Sequence, residues 1–203
     1  QFFQKGYWKQ WRILFVGRNF VRKGGPLVVQ AFTILRKKYL WSAELYLAGA
    51  KESDIRDALR ERQIRVEEVD WQKIHLLGDL GSEKLTDYYN LCDVFCMPSY
   101  FEAYGLVFAE ALTYGLPCIG RDKFAMSEFI EDGCTGRLIS GEDAEELAMD
   151  LWEVLQDPKY REEVERRREW YLREYSWDKV AQRICSVMEK NERDKDQYRS
   201  AGV

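Results

Sequence analysis

Short apolar runs alternate with longer amphipathic segments along most of the chain. The runs are rich in β-branched and aromatic residues and predict strands at 13–16, 44–48, 74–77, 94–97, 118–119 and 137–139. Apolar residues at helical spacing between them predict helices, most clearly at 25–38, 82–91 and 106–114. Strands that alternate with helices in this way predict an α/β fold with a doubly wound parallel sheet.

Several predicted strands end in glycine, namely Gly17, Gly49, Gly78 and Gly120. In doubly wound sheets, ligands bind beyond the carboxyl ends of the strands. The segment 52–73 is polar and charged around a predicted helix at 53–62, and nothing in it suggests chemistry. From 142 to 190 the pattern is helical, with interruptions at 157–158 and 176–177. A ligand site is therefore expected at the glycine-rich edge of the sheet.

The segment from Pro98 to Leu112 places one carboxylate in an apolar run. Every residue from 106 to 112 except Glu110 is hydrophobic, so we expect a helix that is buried on nearly all sides. Because burying an unpaired charge costs several kcal/mol, Glu110 is expected to have a partner. Gly105 opens this helix, and its first amide groups have no internal acceptor and can bind an anion. A ligand with phosphates there could place ribose hydroxyls near Glu110.

Composition and charge narrow the class of protein. The chain has 203 residues with 46% hydrophobic content, enough for the core of one globular domain, and shows neither an apolar run of membrane-spanning length nor an N-terminal signal pattern. Its net charge is −4, but the first 41 residues carry nine basic and no acidic side chains. Arg18 and Lys23 belong to this basic segment and favour an anionic ligand. The acidic pI near 5.3 argues against nucleic acid as a partner.

The five cysteines form no C-x-x-C pair, and their odd number leaves at least one free thiol. With a single histidine in the chain, a zinc site is not expected. We interpret the cysteines as small apolar residues of a protein in a reducing compartment.

The segment 98–112 resembles the E-x7-E signature of the retaining glycosyltransferases of family 4 (glycosyltransferase group 1). Glu102 corresponds to the first glutamate and Glu110 to the second. The flanks are similar too, with Pro98-Ser99 before the loop and Gly115-Leu116-Pro117 after the helix.

Further motifs extend this resemblance. Gly17-Arg18 and Lys23-Gly24 are similar to the phosphate-binding loop of the family, in which an Arg and a Lys hold the donor diphosphate. The run 132–136 looks like the D-G-x-T-G turn of the family, and 175–178 looks like its aromatic-Ser-Trp-acid element. The likeness covers about residues 12–189.

The resemblance implies that residues 1–203 form one Rossmann-like domain, the C-terminal donor-binding half of a GT-B fold. Because the chain starts at Gln1, we expect the N-terminal acceptor domain to be absent from it, leaving an isolated domain with little activity. The implied reaction transfers a sugar from a UDP-, GDP- or ADP-sugar with retention, without a metal or other cofactor. The implied location is the cytoplasm or the cytoplasmic face of a membrane.

The resemblance also assigns roles to residues. Glu102 would orient the donor sugar, and Arg18 and Lys23 would stabilise the departing diphosphate; these are the expected catalytic residues. Glu110 would hold the ribose. The remaining expected donor-binding residues are Gly17, Leu80, Tyr104, Gly105 and Leu106.

Two departures from the family pattern affect the sugar subsite. Ala103-Tyr104 stands where a Gly-Phe pair is usual, which keeps the aromatic ring. Phe124-Ala125 places bulk where the family has glycines that let a sugar approach the backbone, and residues 121–123 make this loop unusually charged.

Alternatives remain open at the residue level and at the level of function. Glu110 could be a structural acid paired with an internal arginine, Arg18 and Lys23 could be solvated loop charges, and Glu102 could be a solvated loop carboxylate. The domain could be a non-catalytic nucleotide-sugar-binding module, which the Phe124 loop favours. It could also be a GT-B relative such as a sugar-nucleotide epimerase or a phosphorylase.

Overall fold

The computed structural model of the protein describes residues 9–200, with side chains described as far as 188. In this described part, six strands form one parallel sheet. They are β1 (Arg12–Val16), β2 (Glu44–Ala48), β3 (Ile74–Gly78), β4 (Val94–Cys96), β5 (Cys118–Arg121) and β6 (Gly136–Ile139). The order across the sheet is β3-β2-β1-β4-β5-β6, so the chain winds outwards in both directions from the β1/β4 pair.

Between residues 9 and 200, eight helices connect or follow the strands. They are α1 (Gly25–Lys38), α2 (Glu52–Glu61), α3 (Ser82–Leu91), α4 (Leu106–Thr113), α5 (Met126–Phe129), α6 (Ala144–Gln156), α7 (Lys159–Glu174) and α8 (Trp177–Ser200). Two short 3-10 turns, Val66–Glu68 and Trp71–Lys73, precede β3. The central strands are buried on both faces because these helices cover both sides of the sheet.

The predicted α/β class and the Rossmann-like sheet are confirmed. The bounds of β2, α1 and α3 agree with the predicted ones, and the two predicted interruptions near the C-terminus are the junctions before α7 and α8. The prediction for residue 121 was wrong, because Arg121 does not belong to a charged loop. It is the last residue of β5 and is 4% exposed.

The strand order determines where a ligand can bind. The chain leaves β1 towards one edge of the sheet and leaves β4 towards the other, so a crevice forms between the loops that follow these two strands. The loop after β1 carries Arg18 and Lys23, and the loop after β4 carries Glu102. Four of the remaining predicted residues, Tyr104, Gly105, Leu106 and Glu110, come next in the chain. The topology thus concentrates most of the predicted site at the β1/β4 boundary.

Gly24 lies at a close contact between these two loops, which a substitution can test. Its φ is +81°, and a Cβ atom there would lie 2.4 Å from the Pro98 carbonyl oxygen. Both the left-handed conformation and the clash disfavour a side chain, so we expect Gly24→Ala to lower the free energy of unfolding by about 2 kcal/mol or more in urea denaturation. Gly78→Ala is the matched control, since Gly78 also has a positive φ but open space around it. Equal losses in the two variants would contradict a close contact at Pro98.

Candidate functional site

The loops after β1 and β4 are joined by hydrogen bonds around Arg22. The Arg22 carbonyl accepts from the Tyr100 amide at 2.9 Å and from Ser99 Oγ at 3.2 Å. Arg22 Nη1 donates to the Phe101 carbonyl at 2.6 Å. Ser99 is fully buried, so its bond to the Arg22 carbonyl is protected from water, whereas the bond from Arg22 Nη1 is at the surface. The two loops therefore form one continuous wall, and the residues they carry have a defined relative position.

Lys23 and Glu102 meet across this wall. Lys23 Nζ donates to Glu102 Oε2, and the two side chains are only 14% and 13% exposed. The structure therefore does not place Glu102 as a solvated loop carboxylate. Among the described residues, neither charge has another hydrogen-bonding partner. Two ammonium N–H groups and one carboxylate oxygen remain able to bind a ligand.

Two predicted glycines pack against this ion pair. A Cβ atom at Gly17 would lie 2.8 Å from Lys23 Cγ, and one at Gly105 would lie 3.2 Å from Glu102 Cγ. Gly105 has φ +75° and is the residue immediately before α4, so the free amides of the first turn begin next to Glu102. A cation, a carboxylate and a helix N-terminus are thereby brought together.

Arg18 lies apart from the Lys23–Glu102 pair. Its side chain is 81% exposed, and its Nε donates to Asp79 Oδ1 at 3.0 Å. Leu80, the other predicted residue of the loop after β3, is half-buried next to Asp79. An exposed ion pair of this kind contributes at most about 1 kcal/mol, so Arg18 can exchange Asp79 for a ligand anion at little cost.

Glu110 is exposed, which overturns the expectation of a helix buried on nearly all sides. Only one face of α4, which includes Phe108 and Leu112, is buried, whereas Leu106 is 51% exposed. Glu110 nevertheless has a partner, because the hydroxyl of Tyr89 on α3 donates to its Oε2 at 2.9 Å. Burial, and then the nearby Glu110 charge, raise the pKa of Tyr89, so this hydroxyl stays protonated and remains a donor.

Glu110 opens into a cleft of about 620 Å³ between α4 and the junction of α7 with α8. Its lining is mostly aromatic and aliphatic and includes Tyr104 and Leu106, but not Lys23 or Glu102. The predicted residues therefore occupy two surfaces on either side of the first turn of α4. Because the helix rises about 1.5 Å per residue, Glu110 lies about 7 Å along the axis from Gly105.

Phe124 places an aromatic ring against Phe101, the residue before Glu102. Its φ is +57°, in the left-handed region that favours glycine, and its side chain is 50% exposed. The ring lies edge-on to that of Phe101, with centroids 5.1 Å apart, and Phe101 directly precedes Glu102. The bulk expected from the sequence is therefore present as an exposed ring that packs on the loop carrying Glu102.

Sequence reasoning missed Tyr89 and the buried state of Arg121. Tyr89 belongs to an apolar helical face, and nothing in that pattern shows that its hydroxyl reaches Glu110. Arg121 could have been identified as a buried charge because it directly follows a buried apolar run.

In the described part of the chain, no cluster of three or more His, Cys, Asp or Glu side chains is placed to bind a metal. No helix described there is both long and apolar enough to span a bilayer.

Comparison with known proteins identifies a family. The model of the family described as "Glycosyl transferases group 1" matches residues 2–171. An uncharacterised glycosyltransferase of Methanocaldococcus jannaschii is 29% identical over 178 residues, which cover 86% of this chain and 44% of that protein. The chain spans less than half of the length of the curated relatives that it matches.

Solved structures agree on the fold. Sucrose-phosphate synthase from Thermosynechococcus elongatus has a TM-score of 0.75 at 25% identity, covering 91% of this chain and 46% of that one. Anabaena HepE in complex with UDP-glucose has a TM-score of 0.74 at 18% identity, covering 89% of this chain and 49% of that one. The family match covers most of the chain, and the fold agrees with it. The chain therefore belongs to the group 1 glycosyl transferases.

Proposed function

We propose that this chain is the donor-binding domain of a retaining, metal-independent glycosyltransferase of family 4 that uses a nucleotide diphosphate sugar. The observation that carries the proposal is the largely buried Lys23–Glu102 pair beside the N-terminus of α4, at the β1/β4 boundary. HepE, which shares the fold, is described in complex with UDP-glucose, and this supports a nucleotide sugar as the ligand. An acceptor-binding half outside this chain would complete the enzyme.

The diphosphate would lie over the first turn of α4. When the bond between the sugar and the diphosphate breaks, negative charge grows on the phosphate oxygens. The free N–H groups of Lys23 and the amides of the first turn of α4 can stabilise that charge, and Arg18 can join them after leaving Asp79. These groups need no metal for this task, which is why we propose a metal-independent reaction.

The two glutamates would then bind opposite ends of the donor. Glu102 has one carboxylate oxygen without a partner and lies next to Lys23, so it can orient hydroxyl groups of the sugar. Glu110 is on the other side of the first turn, where it can accept hydrogen bonds from ribose hydroxyls while Tyr89 holds its second oxygen. The separation of about 7 Å along α4 agrees with a nucleoside diphosphate that bridges the two surfaces.

Calorimetric titration of the chain with UDP, GDP and ADP tests the proposal. We expect one of the three to bind with a dissociation constant at least about tenfold lower than the others, and to do so equally with and without Mg²⁺. Absence of binding by all three at millimolar concentration would contradict a donor-binding domain. Binding that requires Mg²⁺ would contradict only the metal-independent mechanism.

A non-catalytic binding module is the second candidate, and Phe124 is the observation that favours it. Its ring could exclude the sugar and leave a site for the nucleotide alone. Under our proposal, Phe124→Gly relieves left-handed strain of about 1 kcal/mol and leaves nucleoside diphosphate affinity within about twofold of the parent. The parent chain is expected to bind the matching nucleotide sugar as well as the nucleotide. If only the Phe124→Gly variant binds the nucleotide sugar, the module is the better description.

The cysteines support a cytoplasmic location, which we propose for the enzyme. All five are free thiols, and Cys92, Cys96 and Cys118 are buried. Burial is the main cause that raises the pKa values of these three thiols, so they stay protonated and unreactive. Free buried thiols are typical of reducing compartments.

A further inference from the structure

We infer that Arg121 is a buried charge that strengthens binding of the donor diphosphate from beneath the loop wall. The inference rests on the proposed function, because it assumes that a diphosphate occupies the β1/β4 crevice. Arg121 ends β5, which is the strand next to β4, and its side chain points among the loops at the carboxyl edge of the sheet.

Within the described part of the chain, the guanidinium of Arg121 has no carboxylate within ion-pair distance. Its Nη1 donates to the Gly141 carbonyl at 2.6 Å, and its Nη2 lies 3.4 Å from the Pro98 carbonyl. The group also lies over the ring of Tyr100, with Cζ 4.7 Å from the centroid. Its Nε is buried and has no hydrogen-bonding partner among the described residues. Arg121 is 4% exposed and makes no direct ion pair among the described residues; the nearby Glu142 carboxylate binds the Tyr100 hydroxyl and Arg62.

Such an arrangement is costly for the domain by itself. Buried cations are normally compensated by a carboxylate or another anion, and breaking that compensation is strongly unfavourable. Here the missing negative charge can come from a ligand. If Arg121 only held the loops together, it would need its hydrogen bonds to the carbonyls but not its positive charge. The role inferred here needs the charge.

The place of Arg121 fits an anion in the crevice. The Pro98 carbonyl that Nη2 approaches is the atom that a side chain at Gly24 would strike, so this oxygen separates Arg121 from the Lys23-Gly24 turn. Within about 10 Å and in a partly buried setting, one unit charge changes the affinity for an anion by about tenfold. Arg121 therefore acts on the diphosphate through its field and does not need to touch it.

Arg62 provides a matched control. It lies over the same Tyr100 ring, with Cζ 5.1 Å from the centroid, and donates to the Tyr100 hydroxyl at 2.7 Å. Its charge, however, is paired with Glu142 at 3.4 Å, and its side chain is 35% exposed. Loss of the Arg62 charge should change the field in the crevice much less, because its partner and the solvent already screen it.

The test measures the affinity of the chain for inorganic pyrophosphate in a titration followed by NMR. We expect Arg121→Gln to weaken binding by about tenfold, Arg62→Gln by less than about twofold, and Arg121→Lys, which keeps the charge but not the fork of donors, by less than about threefold. Equal effects of Arg121→Gln and Arg62→Gln would overturn the inference. So would a tenfold loss in Arg121→Lys, since that result indicates that Arg121 only holds the loops together. If Arg121→Gln gives no cooperative thermal transition, Arg121→Met, which keeps the aliphatic stem but removes the charge, replaces it with the same expected loss of about tenfold.

The same samples distinguish this inference from the proposed function. If the parent chain binds pyrophosphate but none of UDP, GDP and ADP, the donor-binding function fails while the role of Arg121 is still decided by its variants. If the parent chain binds a nucleoside diphosphate and Arg121→Gln binds pyrophosphate as tightly as the parent, only the role of Arg121 fails. A parent chain that binds neither ligand overturns both.

Discussion

Lys23→Met is expected to abolish measurable nucleoside diphosphate binding, with a loss of about 100-fold or more, and to destabilise the domain by about 3 kcal/mol. The affinity falls because Lys23 is paired with Glu102, whose side chain packs against Gly105 at the N-terminus of α4. The stability falls because Glu102, which is 13% exposed, would be left buried without a partner. Calorimetry and urea denaturation of the same variant measure the two effects.

A double variant separates these two effects. Lys23→Met with Glu102→Gln removes both charges, so we expect it to recover most of the lost stability, since a neutral pair has no uncompensated charge. It should not recover affinity, because the cation is still missing. Arg18→Met is the surface control, with little effect on stability because its ion pair with Asp79 is exposed. Recovery of affinity in the double variant would contradict a direct role of Lys23 in binding.

The parts of the fold that depend on local pattern could be predicted from the sequence. The helix from Gly25 to Lys38 and the strand from Glu44 to Ala48 have their predicted bounds, because glycine, proline and hydrophobic spacing define them locally. The loops after β1 and β4 lie at the same edge of the sheet because the strands are parallel. That is why Lys23 and Glu102, which are 79 residues apart, could be assigned to one site.

The exposure of individual side chains could not be predicted in the same way. The run from Leu106 to Leu112 is apolar enough for a fully buried helix, yet Leu106 and Glu110 lie at the surface, where α4 faces the cleft beside α7 and α8. For Arg121 the difference is the reverse. We expected this charged residue in a loop after the strand, but it is buried. Burial depends on which helices cover a position, and that depends on contacts between segments far apart in the chain.

Glu110→Ala is expected to lower nucleoside diphosphate affinity by about 1 to 3 kcal/mol, which is about 5- to 150-fold, through the loss of charged hydrogen bonds to the ribose. Its effect on pyrophosphate should be less than about twofold, because Glu110 lies on the cleft side of α4, away from the ion pair. Isothermal titration with both ligands makes this comparison. A purely structural acid would give no change in affinity for either ligand.

The Tyr89 hydroxyl allows the structural role of Glu110 to be measured separately. In Glu110→Ala this hydroxyl, which belongs to a residue only 2% exposed, loses its acceptor, and we expect a loss of stability of about 1 kcal/mol. Tyr89→Phe keeps the ring stacked on Tyr114 and removes the unpaired group, so the double variant should regain that stability. Affinity should stay low in the double variant, since Tyr89 positions Glu110 but only the carboxylate meets the ribose. If Tyr89→Phe alone lowers affinity as much as Glu110→Ala does, the orientation of the carboxylate, and not merely its presence, determines how tightly the nucleoside is held.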